Sequence, residues 1–156
     1  MMSRVLSCAT LGINAYITTI ETDLDRKLPA FSVVGLPDNA VKESRDRVTA
    51  AIKNAGRIFP PGRITVNLAP ADIRKEGSAF DLPIAIGILS AAGHISQDRL
   101  SKFAILGELS LDGEVRPVRG ALPMAVEAKQ SGLKGMILPK QNAQEAAIVG
   151  GLEIYP

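Results

Sequence analysis

The sequence is poor in the residues that most often build chemistry: it has one cysteine, one histidine and no tryptophan. A lone cysteine, Cys8, closes no internal disulfide, and this points to a reducing, cytoplasmic setting. His94 lies far from Cys8 and neither has ligand-spaced neighbours, so no metal site is expected. No apolar run approaches the roughly 18 residues that a membrane-spanning helix requires. The opening MMSRVLSCATLGINAYIT alternates polar and apolar residues too much for a signal peptide, so no membrane partner is expected. There is no G-x-x-x-x-G-K-[ST] cradle and no G-x-G-x-x-G opening a helix, so no nucleotide cofactor is expected in this segment. Charge is nearly balanced, with 18 Lys and Arg against 16 Asp and Glu. Nucleic-acid contact then depends on local patches rather than on net charge.

What is present is an ordinary globular composition, 46% hydrophobic and 22% charged over 156 residues, enough for one domain with its own core. Apolar alternation predicts strands over 4–9 and 13–21, joined at Gly12, with Ile13, Tyr16 and Ile20 among the apolar positions. A third strand, Phe31 to Val34, is ended by Gly35 and Pro37. Asp38 is the expected N-cap of a helix running to about Ala55, with Val41, Val48, Ile52 and Ala55 as its buried stripe. Arg63 to Leu68 reads as a buried strand and Asp81 to Ala92 as a mostly buried helix. Strands at 103–106 and 109–111, a hairpin turn at Asp112-Gly113, a helix over 122–130 and a strand over 134–138 follow. A short helix over 142–149 and a strand over 152–155 close the pattern. Hairpins first and strand–helix alternation later predict a mixed α/β domain. The stop at Tyr155-Pro156, directly after a strand, reads as a boundary inside a longer chain.

Residues 63–92, RITVNLAPADIRKEGSAFDLPIAIGILSAA, form the candidate site: a polar loop of small residues between two buried elements. Ser78 could act as a nucleophile if a base stood beside it. His94 is the only imidazole on offer, and a lysine would need its pKa lowered by about three units through burial or a nearby cation. The plainer reading of Ser78 is a turn residue at a helix entry. Arg74 and Lys75 in the same loop suit a phosphate or an acidic partner. Lys42, Arg45, Arg47 and Lys53 follow Asp38, but Glu43 and Asp46 interleave with them, which reads as a solvated face with local ion pairs.

The segments FSVVGLPDNAVKESRDRVTAAIKNAG, ITVNLAPADIRKEGSAFDLPIAIGIL and ILGELSLDGEVRPVRGALPMAVEAKQSGLKGMILP resemble the N-terminal domain of the YifB/ComM family. These are magnesium-chelatase-like bacterial AAA+ ATPases. The resemblance covers nearly all of residues 1–156 as a single domain and implies a C-terminal ATPase module beyond it. ATP and magnesium would belong to that module. That domain is in turn similar to the proteolytic domain of Lon and the C-terminal domain of RadA. This implies the α/β fold shared with GHMP kinases and domain 2 of a small-subunit ribosomal protein, with helices mainly on one side of a mixed sheet.

The resemblance also implies a broken catalytic dyad. Lon's nucleophilic serine falls at Ser78 or Ala79, with the downstream helices favouring Ala79, and Lon's lysine falls at Met124. A thioether takes no proton from a hydroxyl, so the domain is expected to be proteolytically inactive; the alternatives are a residual peptidase dependent on Ser78 and a protein-interaction domain with no DNA role. GHMP kinases carry a phosphate loop at a similar place, but EGSAF supplies one glycine and one serine, too few for such a cradle. The family implies a role in DNA processing, recombination and competence, with DNA and the other subunits of a homo-oligomeric ring as partners. Arg74, Lys75, Lys42 and Arg45 are the residues expected to touch them.

Overall fold

The computed structural model describes residues 1–156. β1 (Met2–Leu11) and β2 (Asn14–Asp25) pair antiparallel through their whole length, from Met2 opposite Asp23 to Leu11 opposite Asn14. That register leaves Gly12 and Ile13 as the turn, and Gly12 supplies its left-handed φ of 64°. β3 (Ala30–Val34) runs parallel to β4 (Arg63–Ala69), which is antiparallel to β2. On the other side of β1 come β5 (Phe103–Ile105), then β8 (Gly135–Ile137) and β9 (Glu153–Tyr155), all parallel. The result is a seven-stranded mixed sheet in the order β3-β4-β2-β1-β5-β8-β9, with a separate hairpin of β6 (Glu108–Leu109) and β7 (Val115–Arg116).

The two sides of the sheet carry two cores. Val5 and Ile20 face α2 (Ser44–Asn54) and α3 (Asp81–Ala91), joining Val48, Ile52, Phe80, Ile84 and Ile88. Cys8 points the opposite way, to α4 (Ala121–Gln130) and α5 (Ala143–Ala147), with Met124, Ala125 and Ala146. The alternation of a strand makes this division, since residues of opposite parity leave opposite faces. Helices on both faces correct the expectation that they lie mainly on one. At β4 the second face is less covered than the first: Ile64, Val66 and Leu68 are buried while Arg63 is exposed and Thr65 and Asn67 are half-buried.

Three local expectations also shift. The helix after Asp38 is interrupted at Glu43, giving a short α1 (Asn39–Lys42) before α2. Ala55 lies past the end of α2 and is exposed, so the buried stripe stops at Ile52. Ile13 is 92% exposed because it occupies the turn rather than the strand.

Candidate functional site

The parallel pairing of β3 and β4 delivers two loops to one end of the sheet, residues 35–38 and 70–80. Main-chain bonds join them: Lys75 N donates to Leu36 O and Asp38 N donates to Lys75 O, each at 2.9 Å. Asp38 is the N-cap foreseen from sequence. Its Oδ1 accepts from Val41 N at 2.8 Å, and its Oδ2 reaches Gly77 N at 3.3 Å. One carboxylate therefore starts α1 and holds the 70–80 loop. Gly35 makes this possible, since its φ is 101° and a Cβ there would lie 2.2 Å from Leu68 O. Leu36, at φ 56°, takes a left-handed conformation that costs a non-glycine residue energy.

Beneath the loops sits a charge cluster absent from the sequence reading. Asp81 opens α3 and its side chain is fully buried. It accepts from Ser44 Oγ at 2.5 Å, Arg47 Nε at 2.6 Å, Arg47 Nη2 at 3.1 Å and Leu109 N at 3.1 Å. Arg47 also donates to Ala40 O at 2.8 Å and to Glu43 at 3.3 Å. The bond to Asp81 is the main cause that raises the already high Arg47 pKa, against the opposing effect of burial. Arg47 thus departs from the solvated face expected of it and turns inward. A helix periodicity cannot reveal this, because its partner lies 34 residues away. The cluster ties α2, α3 and β6 into one block, a structural role.

The expected contact residues divide. Arg74, Lys42 and Arg45 are exposed. Lys75 has no accessible surface, which corrects the expectation that it meets a partner beside Arg74. Its ammonium folds under the loop to the carbonyl of Pro70, and burial pushes its pKa down, partly offset by Asp72. Tyr16, on β2, lies near Glu76, and its enclosed hydroxyl makes no hydrogen bond. Burial first, and then Glu76, pushes its pKa up.

No hydrogen bond in this geometry activates Ser78, since the ammonium of Lys75 turns to the carbonyl of Pro70 instead. Ser78 is half-buried, its carbonyl accepts from Asp81 N at 3.2 Å, and its hydroxyl bonds to no protein group. Ala79, carrying no hydroxyl, accepts at its carbonyl from Gly107 N at 2.9 Å. His94 is exposed just past the far end of α3, an 11-residue helix about 16 Å long, too far to serve Ser78. Met124 is 3% exposed and packed with Cys8, Leu106, Ala121 and Ala128. Such surroundings would lower a lysine's pKa usefully, but they hold a thioether that accepts no proton. No group of three or more His, Cys, Asp or Glu residues could hold a metal ion. No helix is long and apolar enough to cross a membrane.

Known proteins are similar to this chain in sequence. The family model described as subunit ChlI of Mg-chelatase matches residues 20–142. Competence protein ComM of Haemophilus influenzae is 47% identical over 154 residues, 99% of this chain and 30% of the relative. YifB of Escherichia coli is 45% identical over 150 residues, 96% of this chain and 29% of the relative. Lon protease 2 of Bacillus subtilis is 35% identical over 115 residues, 72% of this chain and 20% of that protease. The chain thus spans about 30% of the length of the first two relatives. The Lon likeness agrees with the mixed sheet, and the fold is Lon-domain-like. With a match from residue 20 to residue 142, the chain belongs to the family of the ChlI subunit of Mg-chelatase, as a domain similar to those of ComM and YifB.

Proposed function

We propose that residues 1–156 form a non-catalytic Lon-like domain of a ComM/YifB-type AAA+ ATPase. The ATP and magnesium chemistry lies in a C-terminal module of the longer protein. The domain supports DNA processing, in recombination or natural transformation, through ring assembly, DNA contact or partner docking in the cytoplasm. The observation that carries this reading is Met124, an apolar side chain in an apolar enclosure where the Lon comparison asks for an amine. The name of the competence relative supports the DNA part. Exposed Arg74, with Lys42 and Arg45, supplies cations beside the 70–80 loop, and Lys75 holds that loop from within.

Binding to duplex DNA tests the contact. Affinity is expected to fall by about 0.9 log unit per log unit of salt for each phosphate touched. Arg74→Ala should weaken binding to all sequences alike and lower that slope by about one. Absence of binding at low salt, or indifference to Arg74→Ala combined with Lys42→Ala, removes DNA contact from the function.

A further inference from the structure

The outer edge of β3 combines an unpaired main chain with a basic helix face. β3 ends the sheet and pairs only with β4. Ala30 N donates to Gly62 O at 3.4 Å, so Ala30, Ser32 and Val34 turn their main-chain groups toward β4. The alternation of the strand then turns those of Phe31 and Val33 outward. Phe31 O meets Arg45 Nη1 at 3.4 Å, a long contact, while Val33 faces outward with no strand to receive it.

Open edges are usually blunted by charge, but Leu28 to Leu36, LPAFSVVGL, has none. Leu28, Val34 and Leu36 are 87%, 46% and 51% exposed along it. Above the edge, α2 sets Arg45, Thr49 and Lys53 four residues apart on one stripe, and Lys42 stands just before it. None of these three cations is in an ion pair. Of the acids there, Glu43 is held by Arg47, which leaves Asp46. At the start of β3 lies a hollow of 390 Å³, lined by Pro29, Phe31, Thr49, Lys53, Phe59 and Pro60 among others.

We propose that this edge is the docking site for an extended acidic segment of a partner protein. The segment adds to the sheet beside β3, its main chain pairing with Phe31 and Val33. Its carboxylates face Lys42, Arg45 and Lys53, and Arg45 exchanges its long bond to Phe31 O for one of them. The same cations could suit a single-stranded nucleic acid. The aromatic rings argue against it, because Phe59 already stacks on Phe31 at 6.0 Å and carries Lys53 Nζ 6.0 Å from its centroid. Base stacking needs a free ring face. This inference shares Lys42 and Arg45 with the proposed DNA contact but rests on the open edge of β3, which that contact does not use.

The test is fluorescence anisotropy with a labelled peptide alternating glutamate and valine. Comparison probes are the lysine–valine peptide, the glutamate–valine peptide N-methylated at alternate amides, and oligo(dT). The wild-type chain should bind the glutamate–valine peptide but neither the lysine–valine nor the N-methylated peptide, and any oligo(dT) binding should survive Lys53→Glu. Arg45→Glu with Lys53→Glu should weaken glutamate–valine binding at least about tenfold. Val33→Pro should abolish it while keeping the fold by circular dichroism, because the lost N–H points away from β4. Should that variant not fold, the N-methylated peptide on the wild type decides the matter. No peptide binding, equal binding of the lysine peptide, or binding that survives N-methylation overturns the proposal. So does oligo(dT) binding that Lys53→Glu removes, since Lys53 takes no part in the proposed duplex contact. Duplex binding through Arg74 should be unchanged in Val33→Pro, so the two readings fail separately.

Discussion

Replacing Arg47 by alanine should be among the most damaging single changes in this domain. Asp81 has four hydrogen bonds, and Arg47 supplies two of them, at 2.6 and 3.1 Å. The variant leaves a fully buried carboxylate with only Ser44 and Leu109. Orphaning one member of a buried pair costs about 3–5 kcal/mol. Arg47 is 19% exposed, so water can enter the vacated space, and a cost of about 3 kcal/mol is the better expectation. Against a domain stability of roughly 5–15 kcal/mol that is a large fraction. In urea, with a slope of about 2 kcal/mol per molar, the midpoint should fall by about 1.5 M. Arg57→Ala, at an exposed and unpaired arginine, should stay within about 0.5 kcal/mol. Removing both charges, as Arg47→Met with Asp81→Leu, should cost less than Arg47→Ala alone. If Arg47→Ala costs no more than Arg57→Ala, the cluster is not what holds α2 to α3.

Two further outcomes follow from buried groups. Burial, helped by Glu127, pushes the Cys8 thiol up to about 12. The native chain should therefore resist Ellman's reagent at neutral pH and react fully in denaturant, and rapid native labelling would contradict the packing of Cys8 against α4. Burial also lowers the Lys75 pKa below the ordinary 10.5, so the native state gives up this proton before the unfolded chain does. The stability cost of the ammonium is complete below the lowered value and disappears as pH rises from there to the ordinary value. Urea midpoints of wild type should thus gain on those of Lys75→Met across that alkaline window. Parallel curves would mean that the ammonium is solvated.

Much of the fold is legible because its signals are local. Ile64, Val66 and Leu68 alternate with polar residues, and they form one buried face of β4. The Asp38 N-cap is likewise written in a single residue before a helical stripe. The break at Glu43 leaves no such mark, since no glycine or proline stands there. Whether Arg47 faces water depends on Asp81, and that proximity exists only after α2 and α3 pack. Lys75 reads as a loop cation for the same reason: the carbonyl it bonds to belongs to a turn that folds back over it. Ser78 is a further case: only the fold shows that His94 lies past the far end of α3 and that Lys75 gives its ammonium to the carbonyl of Pro70.

The central claim is that the site near Ser78 does no hydrolytic chemistry, and covalent labelling tests it most directly. The wild-type chain is incubated with a fluorophosphonate, and its intact mass and Ser78 peptide are then measured. The account predicts no adduct at Ser78, since its hydroxyl bonds to no base in this structure. An adduct at Ser78 that forms in the native state and disappears in Ser78→Ala would contradict it.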